Sequence, residues 1–315
     1  MRVDFRLGLI LTMMVAGTSA CCSRALGQFE WSVNGGAWAA FLPEYEVGHV
    51  VSTGDNLLSA DQSGVGGSVQ FHSFYHFAPT RTMAEFRATI AGADFSRDDY
   101  SAVGTAVWSP AGSLPDGTTV AAGDGEDYYV SVRGRTMYND VLVGLRDKFD
   151  LSDYGLGLIT LGLGFSHMQF DTTFDSVLSV NSGVTAYDGV ESLDTSYIGA
   201  EIVGSITREL LGHNVLLDSS LGIYDMNADY VADFDSTGTT PAADVDYTND
   251  LSEVAYTFSL TLMTECLYGD SLIRPSTGFK YISSMPGITR GDGSPANLLR
   301  DDDALTFTAG LEFVF

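Results

Sequence analysis

The side chains best suited to proton transfer or metal ligation are five histidines, His49, His72, His76, His167 and His213. To act as a base, each needs a carboxylate, hydroxyl or second imidazole within hydrogen-bond reach. His72 and His76 fall on one face of the alternating stretch 66–78. Four residues of extended chain, at about 3.3 Å each, hold them about 13 Å apart, too far to share a metal ion or a proton. His213 falls in a tight turn, and no nucleophile motif of a hydrolase flanks His49 or His167. The expectation is that the chain is not an enzyme and has no catalytic, cofactor-binding or metal residues.

Carboxylates are the other chemical resource. Acidic side chains number 41 against 15 lysines and arginines. "DMNADY" opens like a calcium loop with Asp225, Asn227 and Asp229, but Tyr230 stands where the sharp turn needs glycine and Ser236 where it needs glutamate. "GDGED" (Asp124, Glu126, Asp127) and the run Asp301-Asp302-Asp303 are weaker candidates, suited to adventitious calcium rather than a dedicated cage. The net charge of −26 excludes general nucleic-acid binding, because phosphate contacts need clustered Lys and Arg.

The elements that must carry these groups are strands. In "SEVAYTFSLTLMTE", Val254, Tyr256, Phe258, Leu260 and Leu262 share one face, while Ala255, Thr257, Ser259 and Thr261 share the other. The same period of two recurs at Val69, Phe71, Tyr75 and Phe77; at Ile198, Ala200, Ile202 and Ile206; and at Val215, Leu217, Leu221 and Ile223. Strands are expected near 36–52, 66–78, 81–92, 128–149, 154–170, 195–209, 213–230, 250–267, 270–284 and 304–315. The connections alternate between short ones ("APT", "LSD", "LLG", "YGD") and long ones near 53–65, 93–127, 171–194, 231–249 and 285–303. The long ones hold 22 of the 41 acids. In 128–149 the apolar face shifts from Tyr128, Val130, Val132 and Tyr138 to Val141, Val143 and Leu145, which predicts a bulge near Asn139-Asp140. A hairpin there would raise the count from ten strands to twelve.

Ten strands with alternating loop lengths put both chain ends on the short-turn side, the plan of an antiparallel up-and-down transmembrane β-barrel. A soluble β-sandwich also alternates, but it does not account for the loop rhythm. By the same phase, Glu85, Arg87, Arg146, Lys148, Glu201, Asp218, Glu253, Glu265, Arg274, Lys280 and Glu312 face inward. A lumen that narrow favours a hydrogen-bonded plug of paired charges over a wide conduit.

The N-terminus has another grammar. Arg2 and Arg6 precede an apolar run from Leu7 to Val15, too short to span a bilayer, and then small residues follow. This is the pattern of a secretory signal peptide over residues 1–27, with Ala25 and Gly27 at the small-residue positions and the mature start near Gln28. Lipidation at Cys21 is the competing reading. Cleavage near Gln28 moves the net charge from −26 to −28 and leaves Cys266 as the last cysteine.

The chain ends on "ALTFTAGLEFVF", with Leu305, Phe307, Ala309, Leu311, Phe313 and Phe315 on every second position. Phe307, Leu311, Phe313 and Phe315 resemble the C-terminal signal of bacterial outer-membrane barrels, which implies recognition by barrel-assembly machinery. "SYIGAEIVGSI" followed by "LLDSSLGIYDMNADY" resembles barrel proteins of planctomycetes. The resemblance implies an outer-membrane barrel, residues 28–315, surrounded by lipid and bearing acidic outer loops. Its expected role is structural or surface display, with a loop partner or ions bound outside. The alternative is a narrow, porin-like, cation-preferring channel, and an outer-membrane hydrolase comes third. At the strand end, Phe315 is expected to have few packing partners.

Overall fold

Lipid outside and a narrow lumen inside ask opposite things of the two faces of a strand, and period-two sequence meets both with one strand. The computed structural model describes residues 27–49, 56–102, 107–108, 120–121, 127–180, 184–236, 245–268, 271–288 and 299–315. Residues 1–26 of the expected signal peptide (Cys21 among them), Asp124 and Glu126 lie outside them, while Gly27 opens the first strand. Ten strands form one closed antiparallel barrel. They are β1 (Gly27–His49), β2 (Asn56–Phe77), β3 (Thr82–Ala102), β4 (Asp127–Leu151), β5 (Gly157–Val180), β6 (Val184–Leu210), β7 (His213–Ser236), β8 (Val245–Thr264), β9 (Ser271–Ile288) and β10 (Leu299–Val314). Neighbours in sequence pair in order, and β1 pairs with β10 from Ser32↔Val314 to Phe41↔Leu305, which closes the cylinder. A two-residue pair, Val107–Trp108 with Val120–Ala121, lies between β3 and β4.

The short connections behave as the sequence predicts. Between β6 and β7, Leu211 (φ 54°) and Gly212 (φ 79°) both sit in the left-handed region. A two-residue hairpin of the primed type requires that geometry, because its twist matches the strands.

The strands are longer than the apolar face suggested, and the reason is a change of environment along each one. On β7, Val215, Leu217, Leu221 and Ile223 point outward, and Asp225, Asn227 and Asp229 continue the same face, exposed. Over that upper stretch the buried face is Tyr224, Met226, Ala228, Tyr230 and Ala232. Below the crossover the wall is greasy outside and polar inside; above it the wall is polar outside and apolar inside. On β6 the outward apolar run from Ile198 to Ile206 spans eight residue steps, or about 20 Å of height at the usual tilt, close to the hydrocarbon band of such barrels.

Two expectations change as a result. Much of the acid assigned to long loops sits on strand extensions: 171–180, 184–194, 231–236, 245–249 and 299–303 are all strand. The bulge at Asn139-Asp140 is absent, since β4 runs in unbroken register against β3 and β5. Val132 and Tyr138 lie on the lumenal face throughout, and Val141, Val143 and Leu145 on the lipid face, so the apparent phase shift marks the crossover within one straight strand.

Candidate functional site: the filled lumen

Charges expected to face inward come together at two levels. In the middle of the barrel, Glu85 on β3 accepts from Arg146 on β4 at 2.5 and 2.6 Å and contacts His72 Nε2 on β2 at 2.8 Å. The third arm of Arg146 reaches Asp218 on β7 at 2.8 Å. Arg87 on β3 bridges Glu201 on β6 at 3.4 Å and Asp218 at 3.9 Å. Lys280 on β9 meets Asp140 on β4 at 3.1 Å and Glu201 at 3.7 Å. Ser166, Tyr138 and Tyr224 complete the layer, the first two donating to Asp140 and the third to Glu201. Glu85, Arg146 and Glu201 are almost fully buried. Four carboxylates face three permanent cations, so the network is near balance and largely hydrogen-bonded, the condition under which buried charge is tolerated.

A second level lies toward the short turns. Arg274 on β9 donates to Glu265 at 2.7 and 3.1 Å and stands 3.5 Å from Glu312 on β10, which also accepts from Ser32. Lys148 is exposed at the rim of a cavity of about 140 Å³ between the two levels, lined also by Glu30, His76 and Asp218. A second cavity, of about 80 Å³, lies beside Lys280 and is lined by Gln70, Thr89, Ser259, Thr261, Thr306 and Thr308. Glu253 is exposed near the outer end of β8 and takes no part in either level.

Above the ionic layer the lumen is closed by rings. Trp38 stacks on Tyr138 (5.8 Å), Tyr138 packs on Phe170 (4.8 Å), Phe170 on Tyr197 (6.2 Å) and Tyr197 on Tyr224 (6.3 Å). Higher still, Tyr45 stacks on Phe174, and both Tyr45 and Tyr230 donate to the buried Glu191. Edge-to-face and offset rings at these distances add directional packing to their area burial.

Sequence reasoning missed Asp140 and the aromatic rings. The assumed bulge took Asp140 out of the lumenal register, although it shares its phase with Tyr138, Leu142 and Arg146. His167 points outward, opposite Val141 and Ile198. His76 stands 3.9 Å from Glu30. Among the described residues no group of three His, Cys, Asp or Glu could hold a metal ion. Asp225, Asn227 and Asp229 lie along one straight strand face, and Asp301–Asp303 belong to β10, with Asp302 3.5 Å from Arg300.

Phe307, Leu311, Phe313 and Phe315 are all exposed on the outer face of β10. Phe315 is better anchored than expected for a strand end: its ring stacks on Trp31 at 4.3 Å and its N–H donates to the Trp31 carbonyl at 2.9 Å.

No protein-family model matches the chain, and no curated protein matches it. Among solved structures it is similar to the outer membrane protease OmpT from Escherichia coli, with 10% identity over 94% of this chain and 100% of that one and a TM-score of 0.48. It is similar also to the translocator domain of the autotransporter NalP from Neisseria meningitidis, with 10% identity, 98% and 94% coverage and a TM-score of 0.40. The toluene transporter TodX of P. putida follows at 6% identity, 93% and 90% coverage and a TM-score of 0.23. Identities this low carry over no residue role. The strand register defines an all-β, ten-stranded, up-and-down barrel, and the exposed apolar belt on its outer face is that of a transmembrane one.

Proposed function

We propose that the chain is a bacterial outer-membrane barrel with a structural or surface-display role, exported through a cleaved signal peptide and inserted by assembly machinery that reads Phe307, Leu311, Phe313 and Phe315. The observation that carries the display reading is the filled lumen. Arg146, Glu85 and Asp218 bridge three strands across it, and the rings from Trp38 to Tyr224 stand in series above them. What is left to meet a partner is the outer wall, where acidic side chains of β5 to β8 stand beyond the apolar belt and suit ions or a cationic partner. The resemblance of 196–206 and 216–230 to planctomycete barrels, which rests on sequence alone, is in keeping with a Gram-negative-type envelope.

A narrow cation-preferring channel is the second reading, favoured by the two lumenal cavities and the hydroxyl lining of the smaller one. A hydrolase has the least support, since the His72–Glu85 pair is locked to Arg146 inside the barrel and His167 points outward. Planar-bilayer recording of the purified full chain separates the readings. Display predicts a silent membrane, and resolved, cation-selective steps would replace it with the channel.

A further inference from the structure

Among the described residues, the seam between β8 and β9 is paired only in the inner half of the closed barrel. β8 and β9 pair only from Thr257↔Ile282 to Met263↔Ser276, whereas β8 stays paired with β7 out to Val245↔Phe234. The cause lies in β9. Its register with β10 slips between Ile282 and Met285, Ser284 takes a left-handed φ of 54°, and Ile282, Met285 and Ile288 join the lumenal core. The Tyr197 hydroxyl of β6 holds the Ser284 carbonyl at 3.3 Å and Met285 Sδ at 3.1 Å. The outer end of β9 therefore leans across the mouth, where Gly287 packs against Pro43 and Glu44 of β1. Hydroxyls replace the first lost rung of the ladder: Ser283 accepts from the Tyr256 N–H, and Ser284 donates to the Val254 carbonyl. Beyond it, strand alternation turns the main-chain N–H and C=O groups of Ser252, Asp250 and Thr248 toward the side β9 has left. Among the described residues no strand pairs with them there.

A row of like charge ends at that edge. Asp171, Asp194, Asp229 and Asp250 stand directly opposite one another on β5, β6, β7 and β8, all on the outward face. Cross-strand neighbours are about 5 Å apart, and like charges in that position repel. A row of like charge favours a cation beside it, and Asp250 is its end member.

We propose that the outer edge of β8 is a docking site for an extended, basic segment of a partner protein, which adds as a strand and sets Lys or Arg opposite Asp250. Main-chain pairing supplies affinity and alternate side chains supply selectivity. A second copy of this chain fits poorly, because a net charge of −26 and the same aspartate row would face their own kind. The site rests on the display reading only in requiring that this end of the barrel faces outward.

The test uses the full chain folded in detergent micelles and a fluorescein-labelled nonapeptide of alternating Lys and Val, with the matching Glu-Val peptide as control. Ser252→Pro removes an N–H on the open side and leaves pairing with β7 intact, Ser252→Ala keeps that N–H, and Asp229→Asn/Asp250→Asn keeps the edge but discharges it. Expected are saturable anisotropy for the wild type and Ser252→Ala, Kd weakened by about tenfold or more in Ser252→Pro and in the double variant, and no binding of the acidic peptide. Carbonyl-labelled peptide should shift to β-sheet infrared frequency on binding. Equal affinity for Ser252→Pro would reduce the site to diffuse charge attraction and overturn strand addition. So would an absence of binding to the wild type, as expected if the chain's own loops occupy the edge, or a wild-type dimer abolished by Ser252→Pro. Orientation is read separately by labelling Asp229→Cys on intact cells with an impermeant reagent. Loss of labelling with peptide binding intact would sink the display reading and leave the edge site standing.

Discussion

Arg146 holds two carboxylates inside the lumen, so removing it leaves the buried Glu85 relying on His72 and leaves Asp218 with Arg87 at 3.9 Å. Arg146→Met should cost about 3–5 kcal/mol, the range for breaking one side of a buried pair. Adding Glu85→Gln should recover part of that loss. Urea unfolding followed by tryptophan fluorescence reads both; a loss below about 1 kcal/mol would mean that water reaches the layer and screens it. Phe315 makes a smaller case. Deleting it removes one stacked ring pair and one hydrogen bond at the closing seam, so about 1–2 kcal/mol is expected in refolded protein. If Phe315 is also read during assembly, insertion in cells should fall far more than that loss of stability explains. Most of the lumenal charge was legible as residues, because a Glu or Arg on the polar phase of a greasy strand has nowhere else to go. Their partners were not legible. Which carboxylate meets Arg87 depends on strands more than a hundred positions away in sequence, and Asp140 was hidden by a bulge that does not exist.

At the scale of the strand, the alternating pattern gave the number and order of elements but not their length. A strand was read for as long as one face stayed apolar. Where β7 leaves the belt at Ile223, the apolar face moves from outside to inside without any break in pairing. A polar outward face such as Asp225, Asn227 and Asp229 then looks like loop. The phase itself is testable on β8. Leu260 lies on the outer face and Thr261 lines the small lumenal cavity. Leu260→Arg should destabilise by about 2–4 kcal/mol near the midplane, with little change for Leu260→Ile. Thr261→Val keeps the shape, removes a hydroxyl from the cavity wall and should cost about 1 kcal/mol or less. Equal losses at the two positions, measured by refolding into lipid vesicles, would contradict the assignment of faces.

For the whole molecule, closure is built twice. The ionic layer sits within the belt and needs charge pairs from β2, β3, β4, β6, β7 and β9. The aromatic layer sits above it, from Trp38 across to Tyr224, and is tied to it where the Tyr138 and Tyr224 hydroxyls donate to Asp140 and Glu201. Barriers in series add, so opening one leaves the path shut. Replacing Glu85, Arg87, Arg146, Asp218 and Glu201 together by serine removes three acids and two cations, leaves the balanced pair Asp140 and Lys280, and should leave planar bilayers silent, because the rings still exclude water. Replacing Trp38, Phe170 and Tyr197 by alanine should also leave them silent, since the charge layer with its Tyr138 and Tyr224 hydroxyls then still spans the lumen. The two sets combined should give small, ohmic steps in a barrel that still migrates as folded before heating. Conductance from the serine set alone would show that the rings do not seal, and conductance from the alanine set alone would show that ions pass between Arg87, Lys280 and their carboxylates. Either result would favour the channel reading over display, because a single residual barrier is what a gate requires.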